Sequence, residues 1–214
     1  MPDYDAIKQI VADYYASKLQ THGATHQGVD WNSTESQHIR FNQITKVITP
    51  SPAGEPCTIL DYGCGYGALI DYLEARHIKH VYTGFDIAPE MIAAAVQIFS
   101  DRGQFTSDVT SLEPVDYVMA SGIFNVKLKT SEKEWSQYIL KTLDHMWALS
   151  KRGMSFNSLT SYSDAEYMRD DLHYSDPMFL FDYCMRNFSR HVALLHDYGL
   201  YEFTILVRRE GDPK

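Results

Sequence analysis

The stretch Ile59-Leu60-Asp61-Tyr62-Gly63-Cys64-Gly65-Tyr66-Gly67-Ala68-Leu69-Ile70 constrains this chain more than any other. A short apolar run ends in an aspartate. Three glycines succeed it at alternate positions, and a helix-like segment begins. This order reads as a strand, a tight loop and a helix start. Glycine suits such a loop because the backbone must turn sharply and let a ligand approach closely. One glycine-rich loop describes many ordinary turns, so the reading needs a second anchor downstream.

The downstream residues alternate between strands and helices. His80-Val81-Tyr82-Thr83-Gly84-Phe85-Asp86 reads as a second strand that also ends in an acid. Asp86 lies 19 positions after Gly67, the spacing of a βαβ unit returning to the same sheet edge. Ile87-Ala88-Pro89-Glu90-Met91-Ile92 then opens a helix, with Pro89 suited to its first turn. Gln104-Phe105-Thr106 is a short third strand, leading into Ser107-Asp108-Val109. Val115-Asp116-Tyr117-Val118-Met119-Ala120-Ser121 is a fourth, leading into Gly122-Ile123-Phe124-Asn125. Residues 131–149, with Trp135, Tyr138, Ile139, Leu143 and Met146, form the helix before a fifth strand at 153–158, which is polar for a central strand. Residues 191–196, a turn at 197–200 and residues 201–209 read as strand, turn and strand.

The order Asp-x-Gly-x-Gly-x-Gly, the acid ending the second strand and the terminal hairpin together resemble the class I S-adenosylmethionine (SAM)-dependent methyltransferases. The resemblance spans roughly residues 55–210 for the fold, but only four short motifs for cofactor contacts. It implies an α/β, Rossmann-like, doubly wound sheet of seven strands in the order 3-2-1-4-5-7-6, with a C-terminal antiparallel hairpin and a helical lid. It also implies SAM as cofactor and S-adenosylhomocysteine (SAH) as product. By position along the motifs, Asp61, Gly63, Gly65 and Gly67 form the cofactor loop. Asp86 accepts hydrogen bonds from both ribose hydroxyls, and Ile87 and Met91 lie by the adenine. Asp108 receives the adenine amino group, and the Val109 N–H meets a ring nitrogen. Ser121, Phe124 and Asn125 fall beside the transferable methyl. Arg40, in a helix beginning near Ser33, could reach the SAM carboxylate or be a solvated helix arginine.

Two other readings stay open at this point. A nicotinamide-dependent Rossmann oxidoreductase also shows glycines and an acid about 20 residues on. Its loop is G-x-G-x-x-G, however, and Asp61 would repel a pyrophosphate where it would attract the ammonium and sulfonium of SAM. A SAM-binding subunit without turnover would carry the same motifs.

Composition narrows the partners. A net charge of −9 argues against broad nucleic-acid binding. No run of 18 apolar residues announces a membrane span, and Met1-Pro2-Asp3-Tyr4-Asp5 lacks the features of a signal peptide. Cys57, Cys64 and Cys184 give neither a disulfide framework nor a zinc spacing, so a cytoplasmic protein with reduced thiols is expected, a monomer or homodimer. No metal constellation is apparent. The chain reads as one domain, 1–214, with a helical cap over residues 1–50 that is broken at Thr49-Pro50-Ser51-Pro52-Ala53-Gly54.

The acceptor is expected to be a small molecule, methylated at oxygen. Residues 159–189 are rich in aromatics and would form a lid between strands five and six. Tyr162, Tyr174 and Arg186 from that lid, with Trp31 from the cap, are candidate acceptor contacts; Trp31 equally suits a plain connecting loop. His173 is the leading candidate base, with Asn125 beside the methyl. His191, His22, His26 and His196 stand behind it. The Asn/Asp-Pro-Pro-aromatic motif of exocyclic-amine methylation is replaced by Ser121-Gly122-Ile123-Phe124. The lone Pro56-Cys57 stands at the start of strand one, not after strand four, and so is misplaced for cytosine methylation.

Overall fold

A computed structural model describes residues 4–49 and 53–210. The Pro50-Ser51-Pro52 break and the first three residues lie outside them. Seven strands form one sheet in the order β3-β2-β1-β4-β5-β7-β6: β1 Cys57–Tyr62, β2 His80–Phe85, β3 Gln104–Thr106, β4 Val115–Ala120, β5 Ser150–Leu159, β6 His191–Leu195 and β7 Glu202–Arg208. The first five run parallel; β7 is antiparallel to both β5 and β6. Six α-helices accompany them: α1 Tyr4–His22, α2 Thr34–Ile44, α3 Leu69–Ala75, α4 Pro89–Phe99, α5 Glu132–Leu149 and α6 Pro177–Asn187. This is the strand order and the antiparallel end that the motifs imply.

Helices cover both faces, as a parallel sheet requires. On one face Ile7 and Val11 of α1, Trp135, Ile139, Leu143 and Met146 of α5, and Leu180 and Cys184 of α6 pack on Leu60, Val118 and Phe156. On the other, Phe41 and Ile44 of α2 and Leu69, Ile70 and Leu73 of α3 pack on Ile59, Tyr82, Tyr117 and Met119. Local signals start α2 where the sequence places it, and they also start α6, for which the sequence reading gives no helix. Ser33 caps α2 in a reciprocal box with Ser36, accepting from its N–H at 3.0 Å while Ser36 Oγ accepts from the Ser33 N–H at 3.3 Å. Asp176 accepts from the N–H groups of Met178 and Phe179 and starts α6, with Pro177 in its first turn.

Strand β5 is longer than its sequence announces, and the reason is that its buried polar residues are paired. Ser155 Oγ donates to the Ile44 carbonyl at 2.9 Å, Ser158 bonds Ser175 at 2.9 Å, and Asn157 bonds the loop after β4. A buried polar group with a partner costs little, so period and hydropathy mislead here.

Residues 159–175 leave β5 at the carboxyl edge of the sheet and pair with the segment after β4, through a bridge between Val126 and Leu172 and the His173 N–H donating to the Asn125 carbonyl. They lead through a short turn at Ala165–Tyr167 into α6. That helix packs its apolar side on the core face beside β6 and β7, through Leu180 and Cys184. No residue of 159–189 lines the cleft described below, and the exposed aromatics Tyr162, Tyr167 and Phe179 lie at the surface.

Candidate active site

Parallel strands end together, and the loops after β1, β2 and β4 meet at one edge. The three alternate glycines turn there with positive φ: 85° at Gly63, 54° at Gly65 and 89° at Gly67. The loop curls onto the end of β2. The N–H groups of Gly63 and Cys64 both donate to the Phe85 carbonyl, at 2.7 and 2.9 Å. The Gly65 N–H donates to Asp86 Oδ2 at 2.8 Å, and Asp86 Oδ1 accepts from the Ala88 N–H at 2.9 Å, where α4 begins. Asp86 therefore ties the loop to a helix start. Asp61 accepts from the Tyr82 hydroxyl at 2.6 Å.

A cleft opens over this edge. Its floor holds Asp61, Gly63, Cys64, Gly65, Asp86, Ile87 and Met91, and the loop after β4 contributes Ser121, Gly122 and Ile123. Tyr15 of α1, Gln37 and Phe41 of α2, and Val29 and Trp31 between those helices form its roof. Tyr62, Tyr66 and Tyr138 complete an aromatic wall. Among the described residues lining it, Asp61 and Asp86 carry the only charges, and none is lysine, arginine or histidine.

Those two acids are buried, 4% and 9% exposed. Their hydrogen bonds come from neutral donors. Burial pushes the Asp61 carboxyl up to about 7; the nearby Asp86 charge adds to the rise and the Tyr82 hydroxyl opposes it. Burial likewise raises Asp86 to about 6, against the lowering effect of the Ala88 and Gly65 N–H groups. A cleft holding two such carboxylates favours a cationic occupant, which repays the cost of ionising them.

Several expected site residues fall elsewhere. Arg40 does not reach the cleft floor, because its guanidinium is committed to Glu202: Nε lies 2.9 Å from both carboxylate oxygens and Nη2 2.7 Å from Oε1. Asp108 is exposed and caps its own short turn, accepting from the Thr110 N–H at 2.9 Å. Val109 packs on the core face of the sheet. Phe124 is buried edge-on against Phe156, just behind the loop that does line the cleft. Asn125 knits loops together, its Oδ1 accepting from the Leu159 N–H and its carbonyl from the His173 N–H.

His173 is buried and its Nδ1 lies 2.6 Å from Glu132 Oε2. Burial holds its pKa below the usual histidine value, and Glu132 opposes that shift. It does not line the cleft, and neither do His22, His26, His191 and His196. Of the other lid candidates, Tyr162 is exposed beside His196, the Tyr174 hydroxyl accepts from the Arg169 N–H, and Arg186 pairs with Asp182 at the surface. Trp31 alone of the acceptor candidates is in the cleft.

Other residues that shape the site had weak signals. Gln37 and Phe41 stand four apart on α2 and share a face. Tyr62 and Tyr66 flank glycines in the motif itself. Asn157 is visible only as a polar residue within a buried strand. It accepts from the Gly122 N–H at 2.7 Å and donates to Ser121 Oγ at 3.3 Å, holding the loop after β4. The three cysteines are buried and unpaired. No helix among the described residues is long and apolar enough to cross a membrane, and they hold no cluster of three metal-binding side chains.

Comparison with known proteins agrees with this geometry. A methyltransferase domain model matches residues 59–150. The candidate methyltransferase Rv1506c of Mycobacterium tuberculosis is 57% identical over 159 residues, covering 73% of this chain and 96% of that protein. The magnesium protoporphyrin IX methyltransferase of Synechocystis PCC 6803, solved with bound SAM, shares the fold with a TM-score of 0.66 at 17% identity, over 98% of both chains. The N-methyltransferase NodS of Bradyrhizobium japonicum WM9, solved with SAH, gives a TM-score of 0.61 at 15% identity over 93% of this chain and 98% of its own. A relative this similar, on this strand order and around this cleft, shows that the chain belongs to the SAM-dependent methyltransferases.

Proposed function

We propose that the cleft binds SAM and passes its methyl group to an oxygen of a small, uncharged aromatic molecule. The observation that carries this reading is the pair of buried carboxylates in a cleft otherwise walled by aromatic and small side chains. Bound SAM supplies an electrophilic methyl on a sulfonium. Asp61 offers its negative charge to the cationic amino acid end, and Gly63 and Gly65 keep the floor bare of side chains, while Gly67 makes room for Phe99 and Phe105 behind the loop. Asp86, already fixed by two backbone N–H groups, has lone pairs left for the ribose hydroxyls. Ile87 and Met91 form the apolar seat for the adenine. Ser121, Gly122 and Ile123 bound the transfer region, with Trp31 above them. Holding the reactants in line is the chief catalytic task, worth up to ~7–11 kcal/mol for well-oriented groups.

Among the described residues, no histidine, lysine or arginine lines the cleft, so no cation there receives an anionic acceptor and no imidazole there takes a proton. An acceptor oxygen must then enter neutral and lose its proton to solvent as the methyl arrives, which a phenol does more readily than an alcohol. A second reading, transfer to a neutral amine nitrogen, fits the same lack of an imidazole, because such a nitrogen attacks without first losing a proton. The magnesium protoporphyrin IX methyltransferase and NodS are named for small-molecule and nitrogen methylation respectively, which keeps both acceptor types in view.

Calorimetry with SAM and SAH, with NADH as control, and then transfer of labelled methyl to a panel of phenols, aromatic amines and aliphatic acids, tests the proposal. Tight binding of the SAM pair and label in the phenols supports it. Label in the amines alone moves the reaction to nitrogen. Preference for the acids contradicts the charge argument, and binding without transfer to any class points to a non-catalytic SAM-binding subunit.

A further inference from the structure

The connection between α1 and α2 rests on both ligand-facing loops at once. A Cβ built on Gly65 would lie 2.8 Å from Val29 Cγ1, and one built on Gly122 would lie 2.2 Å from the Trp31 ring. Only glycine leaves room for these contacts, and Gly122 also turns with φ of 78°. Val29 and Trp31 are thus seated on the floor of the cleft from above.

Trp31 is itself held from behind. The Arg40 guanidinium carbon lies 3.9 Å from the centre of its ring, within stacking range. Arg40 is clamped in turn by the forked bonds to Glu202 at the start of β7, and its Nη1 donates to the Ser36 carbonyl at 2.9 Å. Glu202 is 1% exposed and Arg40 7%. The surface that Trp31 meets is equally fixed, since Asn157 pins Ser121 and Gly122. A chain of contacts therefore runs from the sheet through Glu202, Arg40 and Trp31 back to the loop after β4.

We propose that Arg40 and Glu202 are positioning residues that seat Trp31 on Gly122, so that the connection between α1 and α2 closes over the bound cofactor and sets how fast SAH leaves. The proposal rests on the cleft being the cofactor site. The chemistry of the pair favours this role over a purely structural one. A buried ion pair is a weak stabiliser, replaceable by apolar side chains of similar volume. What an apolar pair does not offer is a flat, charged plate held at fixed height against an indole, which arginine provides and lysine does not.

Release of labelled SAH, chased with unlabelled SAH, tests it in wild type, W31A, R40K and the double variant R40L/E202L. Arg40→Lys keeps a charge opposite Glu202 but loses the plate; the double variant removes charge and plate together without leaving a lone buried ion. Release about tenfold faster in all three, at a melting temperature within a few degrees of wild type, is the expected result. Tryptophan emission should shift in R40K, because the Trp31 face is uncovered. Wild-type release from folded W31A or R40L/E202L overturns the proposal, as does faster release that merely tracks lost stability across the series. Wild type that fails to bind SAH overturns the cofactor reading and the proposal with it; binding by wild type with unchanged variants overturns the proposal alone.

Discussion

Two buried acidic sites lie at the same edge of the sheet, and they have opposite electrostatics. At the start of β7, Glu202 faces Arg40 in a forked pair, so its charge is cancelled within the protein. At the ends of β1 and β2, Asp61 and Asp86 are nearly as buried but meet only a phenol hydroxyl and backbone N–H groups. The first arrangement is complete without a ligand. The second is left with negative charge in a poorly solvated cleft, and both carboxyls respond by holding their protons more tightly. The difference separates an acid whose charge is cancelled within the protein from acids whose charge is not, which burial alone does not do.

The comparison breaks most visibly at Glu202. Glu202→Gln leaves Arg40 as an unpaired buried cation, and about 3–5 kcal/mol of stability should be lost. For a chain of this size that is a fall of roughly 6–20 °C in melting temperature, readable by calorimetry. An unchanged melting temperature would mean that water reaches Arg40 and that the site is not closed.

Asp86→Ala should do the reverse. The loss falls on binding, with SAH affinity down about 100-fold by titration calorimetry, since hydrogen bonds to a charged acceptor are worth ~1.5–3 kcal/mol each. Ligand-free stability should change less than in Glu202→Gln. Equal affinity in variant and wild type would remove Asp86 from the cofactor site.

Acidity sharpens the contrast without mutation. Asp61 and Asp86 have folded pKa values above the ordinary value of 3.8, so between about pH 4 and 7 the folded protein holds more protons than the unfolded chain. Their contribution to stability is therefore fully present at the acid end and fades as pH rises through 6 to 7, by up to ~1.4 kcal/mol per pH unit for each group. SAM affinity should move the other way, rising across the same window as the carboxylates ionise. Melting temperatures and binding isotherms from pH 5 to 8 test both signs, and parallel trends would refute the assignment.

Smaller effects belong to residues outside the contrast. His173→Gln should lower stability by about 1 kcal/mol through its bond to Glu132, and leave SAH affinity unaltered within the error of a titration. A collapse of methyl transfer in a folded, SAH-binding His173 variant would restore histidine as the base. Asp108→Ala should change SAH affinity by less than about twofold, as an exposed residue that caps its own turn. A larger loss would show that the loop turns inward when the adenine is bound.

The sequence by itself determined the half of the molecule in which function is written locally. Alternating strands and helices, three spaced glycines and an acid at the end of each of two strands specify β1, β2 and the floor of the cleft, because turn geometry and βαβ spacing are short-range properties. The terminal hairpin was legible for the same reason. Tertiary structure decided which side chains those loops would meet. Arg40 looked free to bind a carboxylate until Glu202, 162 residues away, claimed it. His173 and Asn125 looked catalytic until Glu132 and Leu159 took their polar atoms. Strand β5 was legible only as 153–158, polar for its place, and Ile44, Ser121 and Ser175 are the partners that let its polar residues be buried within a strand running from Ser150 to Leu159. A buried polar atom is satisfied by whichever group the fold brings within about 3 Å, and that pairing is set by packing between distant segments, which no local pattern encodes.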